Sequence, residues 1–265
     1  MHPLNKAAAQ APANIAFIKY WGKVDAQLNL PLTDTISMNL SNCLTTTTVE
    51  FTPQLKHDQF ILNRKKFTSP AKLVNHLNHI RQLAHITAKA KVTSINNFPT
   101  GTGIASSASG FAALTLAATT AAGLQLPEKQ LSALARAGSG SAARSIPNGF
   151  VIWKKGHDHN SSYAYSLYPP NHWQLIDIIA VISSSEKTVL STDAHQLAHT
   201  SPYFKQRLKL IARRLSQVKQ ALKTKNLKLL GEVIETEAID LHLIAMSSQP
   251  PVFYWEPATL QLIKL

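Results

Sequence analysis

Pro99-Thr-Gly-Thr-Gly-Ile-Ala-Ser-Ser-Ala-Ser-Gly110 runs straight into Phe111-Ala-Ala-Leu-Thr-Leu-Ala-Ala-Thr-Thr-Ala-Ala122. A glycine-serine loop thus feeds an alanine-rich helical stretch, and such a junction is suited to holding phosphate. Gly101 and Gly103 let backbone N–H groups approach a polyanion with no Cβ in the way. Ser106, Ser107 and Ser109 add hydroxyls beside the free N–H groups and the positive dipole end of the helix. No Lys-Ser or Lys-Thr pair closes the loop, so the spacing is not that of the common nucleotide loop. An ordinary Gly/Ser helix start would use the same residues.

Outward from this junction the chain reads as α+β. Upstream, residues 13–23 and 44–51 are β-branched and aromatic, and Phe60-Ile-Leu62 with Phe67 flank Asn63-Arg-Lys-Lys66 as a hairpin would. Leu73, Leu77, Ile80 and Ala84 recur at helical spacing and predict a helix over about 71–90. Downstream, a helix starts at Pro127 and closes before Gly138. The apolar run Leu175–Ile182 is expected to be a buried strand. After it come two amphipathic helices, 203–224 and 227–246. The first carries Leu208, Ile211, Leu215, Val218 and Leu222 on one stripe, with Lys205, Arg207, Lys209, Arg213, Arg214, Lys219 and Lys223 around the rest. A boundary between about 170 and 190 divides an N-terminal part, 1–180, from a C-terminal α+β part, 181–265.

With 265 residues and 45% hydrophobic content, the chain has enough apolar material for a sizeable core. Its longest mostly apolar run, 111–122, is too short and too threonine-broken to span a bilayer, and Met1-His-Pro-Leu-Asn-Lys6 has no apolar signal core. Cys43 is the single cysteine, so no internal disulfide forms and a reducing cytoplasm is expected. The net charge of +13 fits either small polyanionic substrates in a basic cleft or nucleic acid on a basic face. No aromatic stacking set is interleaved with the basic residues of 203–224, which favours a solvated helix face over a nucleic-acid surface.

Three further segments suit anions. An extended Lys19-Tyr-Trp-Gly-Lys23 would put Lys19 and Lys23 on one face and Tyr20 on the other, although lysines on a solvated strand edge give the same pattern. Gly138-Ser-Gly-Ser-Ala-Ala-Arg-Ser145 combines close backbone approach with the planar fork of Arg144. Ser183-Ser-Ser-Glu-Lys-Thr-Val-Leu-Ser-Thr-Asp193 is polar and loop-like, as a surface turn would also be. Two glycine-serine loops with paired lysines imply a site for a nucleotide and a second phosphorylated ligand.

Ala13-Asn-Ile-Ala-Phe-Ile-Lys-Tyr-Trp-Gly-Lys23, Asn96-Asn-Phe-Pro-Thr100 through Gly110-Phe-Ala-Ala-Leu114, and Gly138–Ser145 together closely resemble the diphosphomevalonate decarboxylases. These belong to the galactokinase, homoserine kinase, mevalonate kinase and phosphomevalonate kinase superfamily. The likeness extends from about residue 11 to the C-terminus, including His195–Pro202 more loosely and Ser248-Gln-Pro-Pro-Val-Phe-Tyr-Trp255. It implies a two-part small-molecule-kinase fold, an N-terminal ribosomal S5-like part and a ferredoxin-like C-terminal part, with the site between them. It further implies a cytoplasmic homodimer acting on a small-molecule substrate, with neither nucleic acid nor membrane as partner. The implied activity uses ATP and Mg²⁺ to phosphorylate the 3-hydroxyl of (R)-5-diphosphomevalonate, then expels phosphate and carbon dioxide to give isopentenyl diphosphate, a step of isoprenoid biosynthesis.

By the same resemblance, Lys19 contacts the reacting 3-hydroxyl or transferred phosphoryl group, and Tyr20 and Lys23 hold the diphosphate end. Ser139, Gly140, Ser141 and Arg144 complete the substrate site. Gly101, Gly103, Ser106, Ser107 and Ser109 cradle the ATP phosphates, with Ser107 as the phosphate-contacting serine, and Ser94 and Asn96 line the nucleotide pocket. Mg²⁺ arrives with ATP and needs no dedicated protein cage. Two departures stand out. Where the family commonly has Gly-Met followed by a substrate-touching arginine, this sequence has Ala194-His195-Gln196-Leu197. Past the Tyr-Trp region the family carries Asp-Ala-Gly-Pro-Asn, whose aspartate lies beside the 3-hydroxyl, and that string does not occur here. The expectation is therefore a shortened chain that keeps substrate binding better than turnover. Its alternatives are a kinase that stops at 3-phosphorylation, an enzyme of monophosphomevalonate, or a non-catalytic homologue that binds ligand.

Overall fold

The computed structural model describes residues 5–67, 71–98, 106–182 and 191–264. Strands come first: β1 (Lys6–Ile18), β2 (Lys23–Asp25), β3 (Leu30–Pro31), β4 (Thr35–Thr52), β5 (Gln59–Leu62) and β6 (Lys65–Phe67). They are followed by α1 (Ala71–Ala84), β7 (Lys89–Asn96), α2 (Ser106–Ala121) and α3 (Glu128–Gly138). A 3-10 helix over Gly140–Ser145 leads to β8 (Phe150–Trp153) and β9 (Ala164–Tyr168). Four helices close the order: α4 (Ser191–Leu197), α5 (Phe204–Thr224), α6 (Leu227–Met246) and α7 (Pro257–Ile263). The architecture is α+β, and the described elements after residue 181 are all helical.

Seven strands make one sheet in the order β6, β5, β7, β4, β8, β9, with β1 also paired to β4. The spine is β4, whose Thr45–Thr48 run and Val49 have the β-branched side chains that a pleated surface favours. One edge of β4 pairs with β1 along its length, while the other is shared by β8 at Thr35–Met38 and β7 at Thr45–Thr52. At the tip of the β5–β6 hairpin, Asn63 and Arg64 both take positive φ, 48° and 66°, as a turn matching the strand twist requires. The helix expected over 71–90 ends at Ala84, with His85 left-handed at φ 54°. Beyond it, buried Ala90 and Val92 alternate with Lys89 and Lys91, so a period of two replaces the helical one and the chain joins the sheet as β7.

Alternation also explains how the sheet is covered. All four residues of β8 are buried. Phe150 and Ile152 pack with Phe17, Ile18 and Ile36 against Ile211, Val218, Leu222, Leu230 and Val233 of α5 and α6. Val151 and Trp153 face the other way, toward Tyr20, Ala143 and Ala164. Helix α2 is apolar on nearly every side and sits in a second core with Ala11, Val49, Phe51, Leu77, Ile80 and Leu134.

Two expectations fail. Leu175–Ile182 forms no strand and lies open, with Ile176 at 81% and Ile178 at 89% exposure. Its composition suits a buried strand, but a strand needs a neighbour for its N–H and C=O groups, and no described strand pairs with it. The basic face assigned to 203–224 is also not uniformly solvated. Arg207 and Arg214 are buried, both paired with Glu237 of α6, and Arg214 also reaches Asp240.

Candidate active site

β1 ends at Ile18, and the four residues 19–22 turn the chain into β2, which starts at Lys23. The extended Lys19–Lys23 segment expected from sequence is not extended: Gly22 takes φ +87°, and a Cβ there would fall 2.7 Å from Phe204 and 2.8 Å from Leu32. Tyr20 and Trp21 diverge. Tyr20 enters the cluster of Ala143, Val151 and Trp153, while Trp21 packs with Ala194, Ala198, Phe204 and Leu241. The turn therefore joins the sheet to helices α4–α6. Its Lys19 carbonyl accepts a 2.7 Å bond from Arg207 Nη2, and Lys19 Nζ lies 5.8 Å from the Trp21 ring centre.

Opposite this turn runs the Ser139–Ser145 segment. Ser139 is buried and extended after α3, and its carbonyl accepts from Ala142 N at 2.8 Å. Gly140 lies so near Tyr20 that a Cβ would meet the phenol oxygen at 2.6 Å. Arg144 is 3% exposed, and only neutral groups hold it: Nε donates to Asn14 Oδ1 and Nη1 to Thr35 Oγ1, both at 3.1 Å. Burial lowers its pKa to about 10, which leaves it charged at neutral pH without an ion-pair partner among the described residues. Desolvation raises the Tyr20 hydroxyl to about 12, against the pull of Arg144, so it stays protonated.

Asn14, which sequence reasoning left without a role, organises this wall. It follows a register shift between β1 and β4, and its amide donates to Ser145 Oγ at 2.7 Å and to the Ser141 carbonyl at 3.2 Å. The visible signal was a buried-type amide inside the apolar run Ala13–Ile18.

A cavity of about 610 Å³ opens beside the turn, lined by Lys23, Asn29, Lys72, His76, His79, Gly138 and Gln196 among others. Lys23 Nζ donates to Asn29 Oδ1 at 2.7 Å. Its pKa is lowered by burial and then by the Lys72 charge, and burial lowers that of Lys72. Neither ammonium makes an ion pair with a described residue, so an anion entering here relieves their repulsion. Lys72 and His76 stand one helical turn apart on α1, and they too were absent from the sequence-based site.

His195 stacks on Tyr20, with ring centres 4.4 Å apart at 21°, and lies 4.5 Å from Trp21. Its Nδ1 accepts from Gly22 N at 3.1 Å. Of the residues expected to cradle ATP, Gly101 and Gly103 lie outside the described residues, as does most of the Ser183–Asp193 segment. Ser106 and Ser107 occupy the first turn of α2, with Ser107 exposed. Ser109 is fully buried, and its Oγ lies 2.6 Å from Thr45 Oγ1, a contact within the fold. Ser94 and Asn96 lie on β7, where Ser94 Oγ meets Thr47 Oγ1 at 2.8 Å and Asn96 Oδ1 accepts from Thr45 Oγ1 at 2.8 Å.

Residues 11–164 match the diphosphomevalonate decarboxylase-like N-terminal domain, and residues 177–265 match the mevalonate 5-diphosphate decarboxylase C-terminal domain. A curated diphosphomevalonate decarboxylase of Candida albicans is 36% identical over 278 residues, which cover 98% of this chain and 77% of the relative. The crystal structure of mevalonate diphosphate decarboxylase from Staphylococcus aureus superposes with a TM-score of 0.91 at 37% identity, covering 98% of this chain and 80% of that one. A structure named MDDEF in complex with MVAPP, AMPPCP and magnesium gives 0.90 at 40% identity, with the same coverage.

Proposed function

The chain belongs to the diphosphomevalonate decarboxylase family, and from that membership we propose that it converts (R)-5-diphosphomevalonate to isopentenyl diphosphate at the wall formed by residues 19–23 and 139–145. One observation carries this reading to particular residues. Arg144 is a buried guanidinium held in place by Asn14 and Thr35, with no carboxylate among the described residues to neutralise it, so the described site is short of an anion. The substrate's carboxylate or phosphate supplies one. Ser139, Gly140 and Ser141 complete that wall, and the close Tyr20–Gly140 contact fixes where the phenol sits. The cavity with Lys23 and Lys72 takes the diphosphate end.

ATP supplies the phosphoryl group. The N-terminus of α2 suits its phosphates, since Ser106 and Ser107 stand where N–H groups are free and the helix dipole is positive. Ser94 and Asn96 belong to this reading as the β7 side of the nucleotide pocket. Ser109, assigned to the same cradle, bonds to Thr45 Oγ1 within the fold. Magnesium comes with the nucleotide; among the described residues no three His, Cys, Asp or Glu side chains stand together to cage an ion.

Phosphoryl transfer through a loose transition state asks mainly for positioning and charge: Lys19 brings a cation to the 3-oxygen, the 3-O–P bond forms as the bond from the γ-phosphorus to ADP breaks, and the hydroxyl proton passes to an oxygen of the transferred phosphoryl group. Once phosphorylated, that oxygen leaves as phosphate with the C3–O electron pair. The C1–C2 bond then breaks, carbon dioxide departs, and its electrons form the C2=C3 alkene. Arg144 and the lysines stabilise the charges that move. The reading carries with it a cytoplasmic homodimer, which the single half-buried Cys43 fits through a reducing compartment. No helix among the described residues is long and apolar enough to cross a membrane.

Calorimetry tests the substrate site. 5-Diphosphomevalonate should bind the wild type, and Arg144→Ala should weaken it at least tenfold while ATP affinity holds. Equal affinity in the variant would remove Arg144 from the site.

A further inference from the structure

His195 is a buried side chain that the reading above leaves without a task. Three contacts fix its ring: Tyr20 on one face, Trp21 at a tilt, and the Gly22 N–H on Nδ1. Because Nδ1 accepts, the proton of the neutral ring sits on Nε2. Among the described residues nothing accepts from Nε2. The charges of Lys23, Lys19, Arg207 and Arg144 all act on this imidazole. Burial and these charges hold its pKa well below the usual histidine range, so it is a neutral donor where a further cation would not be tolerated.

We propose that His195 donates its Nε2–H to an anionic oxygen of the bound substrate and is thereby a substrate-binding residue of this site, oriented by Gly22 and Tyr20. The proposal rests on the assignment of the wall to 5-diphosphomevalonate. Its physical logic is that the cations which, after burial, disfavour protonation of the ring are the same ones that draw a polyanion to it. The acceptor is then a diphosphate or carboxylate oxygen of that one ligand. A neutral donor adds a directed bond without adding to the repulsion among the cations.

The test combines labelled histidine in the wild type with two substitutions. With ¹⁵N-histidine, the His195 Nε2 resonance, assigned by its loss in His195→Asn, should shift on adding 5-diphosphomevalonate and stay still on adding ATP alone. A shift with inorganic pyrophosphate places the acceptor on the diphosphate, and a shift with mevalonate places it on the carboxylate. His195→Asn keeps an acceptor for Gly22 N–H but loses the distal donor, and should raise the substrate Kd about ten- to hundredfold. His195→Gln restores a distal donor and should recover most of that loss. An Nε2 signal indifferent to substrate, or an Asn variant that folds and binds as the wild type does, overturns the proposal. A wild type that binds no 5-diphosphomevalonate removes the underlying site reading, and this assignment with it.

Discussion

Asn14 shows how much one side chain can carry. Its oxygen receives Arg144 Nε, and its nitrogen reaches Ser145 and the Ser141 carbonyl. Asn14→Ala should therefore destabilise the protein by about 1.5–3 kcal/mol, the range for hydrogen bonds to charged groups, and should weaken substrate binding as Arg144 loses its orientation. Urea unfolding beside calorimetry reads both, and an effect on stability alone would separate Asn14 from the site. Gly140 makes a steric claim instead. A methyl there meets Tyr20 and, at 3.2 Å, Trp153, so Gly140→Ala should cost about 1–3 kcal/mol and raise the substrate KM with little change in that for ATP. His76 contributes a pH dependence. Its Nε2 bonds to Thr115 Oγ1 while its Nδ1 is buried without a partner, and burial, helped by His79 and Lys72, lowers its pKa from 6.5 to about 3. Below about pH 6.5 the unfolded chain takes up a proton that the folded protein refuses. Stability is thus fully present above that pH and falls below it by up to about 1.4 kcal/mol per pH unit from this group. The slope should shrink in His76→Asn; an unchanged slope would contradict the assignment.

At the scale of elements, the contact between α5 and α6 is a buried ion network, not only an apolar seam. Glu237 is 2% exposed and holds both Arg207 and Arg214, and Arg207 in turn holds the Lys19 carbonyl. Removing the shared carboxylate leaves buried Arg207 without a carboxylate and Arg214 with Asp240 alone, so Glu237→Ala should destabilise by about 3–5 kcal/mol. A loss below about 1 kcal/mol, the level of a surface pair, would show that the network is solvated in solution. This network marks the limit of sequence reading. The apolar stripe Ile211–Leu222 was legible from its spacing, but periodicity cannot say which arginines find a carboxylate on another helix. The β5–β6 hairpin and the Pro127 helix start were legible because their turn and cap residues act locally. Leu175–Ile182 was misread because a strand is a property of two chains, and composition describes only one.

Across the whole molecule, the residues of the candidate site come from segments more than a hundred positions apart, and motif likeness grouped them where composition could not. Lys72 escaped because it sits in no quoted motif, and His195, quoted only where the sequence departs from the family's Gly-Met and arginine, gains meaning only beside Tyr20. The same view exposes a liability. Ile176, Ile178 and Val181 form an open apolar strip of the kind that promotes association. Ile178→Lys should reduce self-association in sedimentation experiments without altering substrate affinity, since residues 175–182 contribute nothing to the described site. Loss of binding in that variant would tie the strip to the cleft.

Purified protein with ATP, Mg²⁺ and 5-diphosphomevalonate, followed by mass spectrometry, should yield ADP and isopentenyl diphosphate in equal amounts. ADP accompanied by a 3-phosphorylated, carboxylated product, or no turnover of bound substrate, would contradict it.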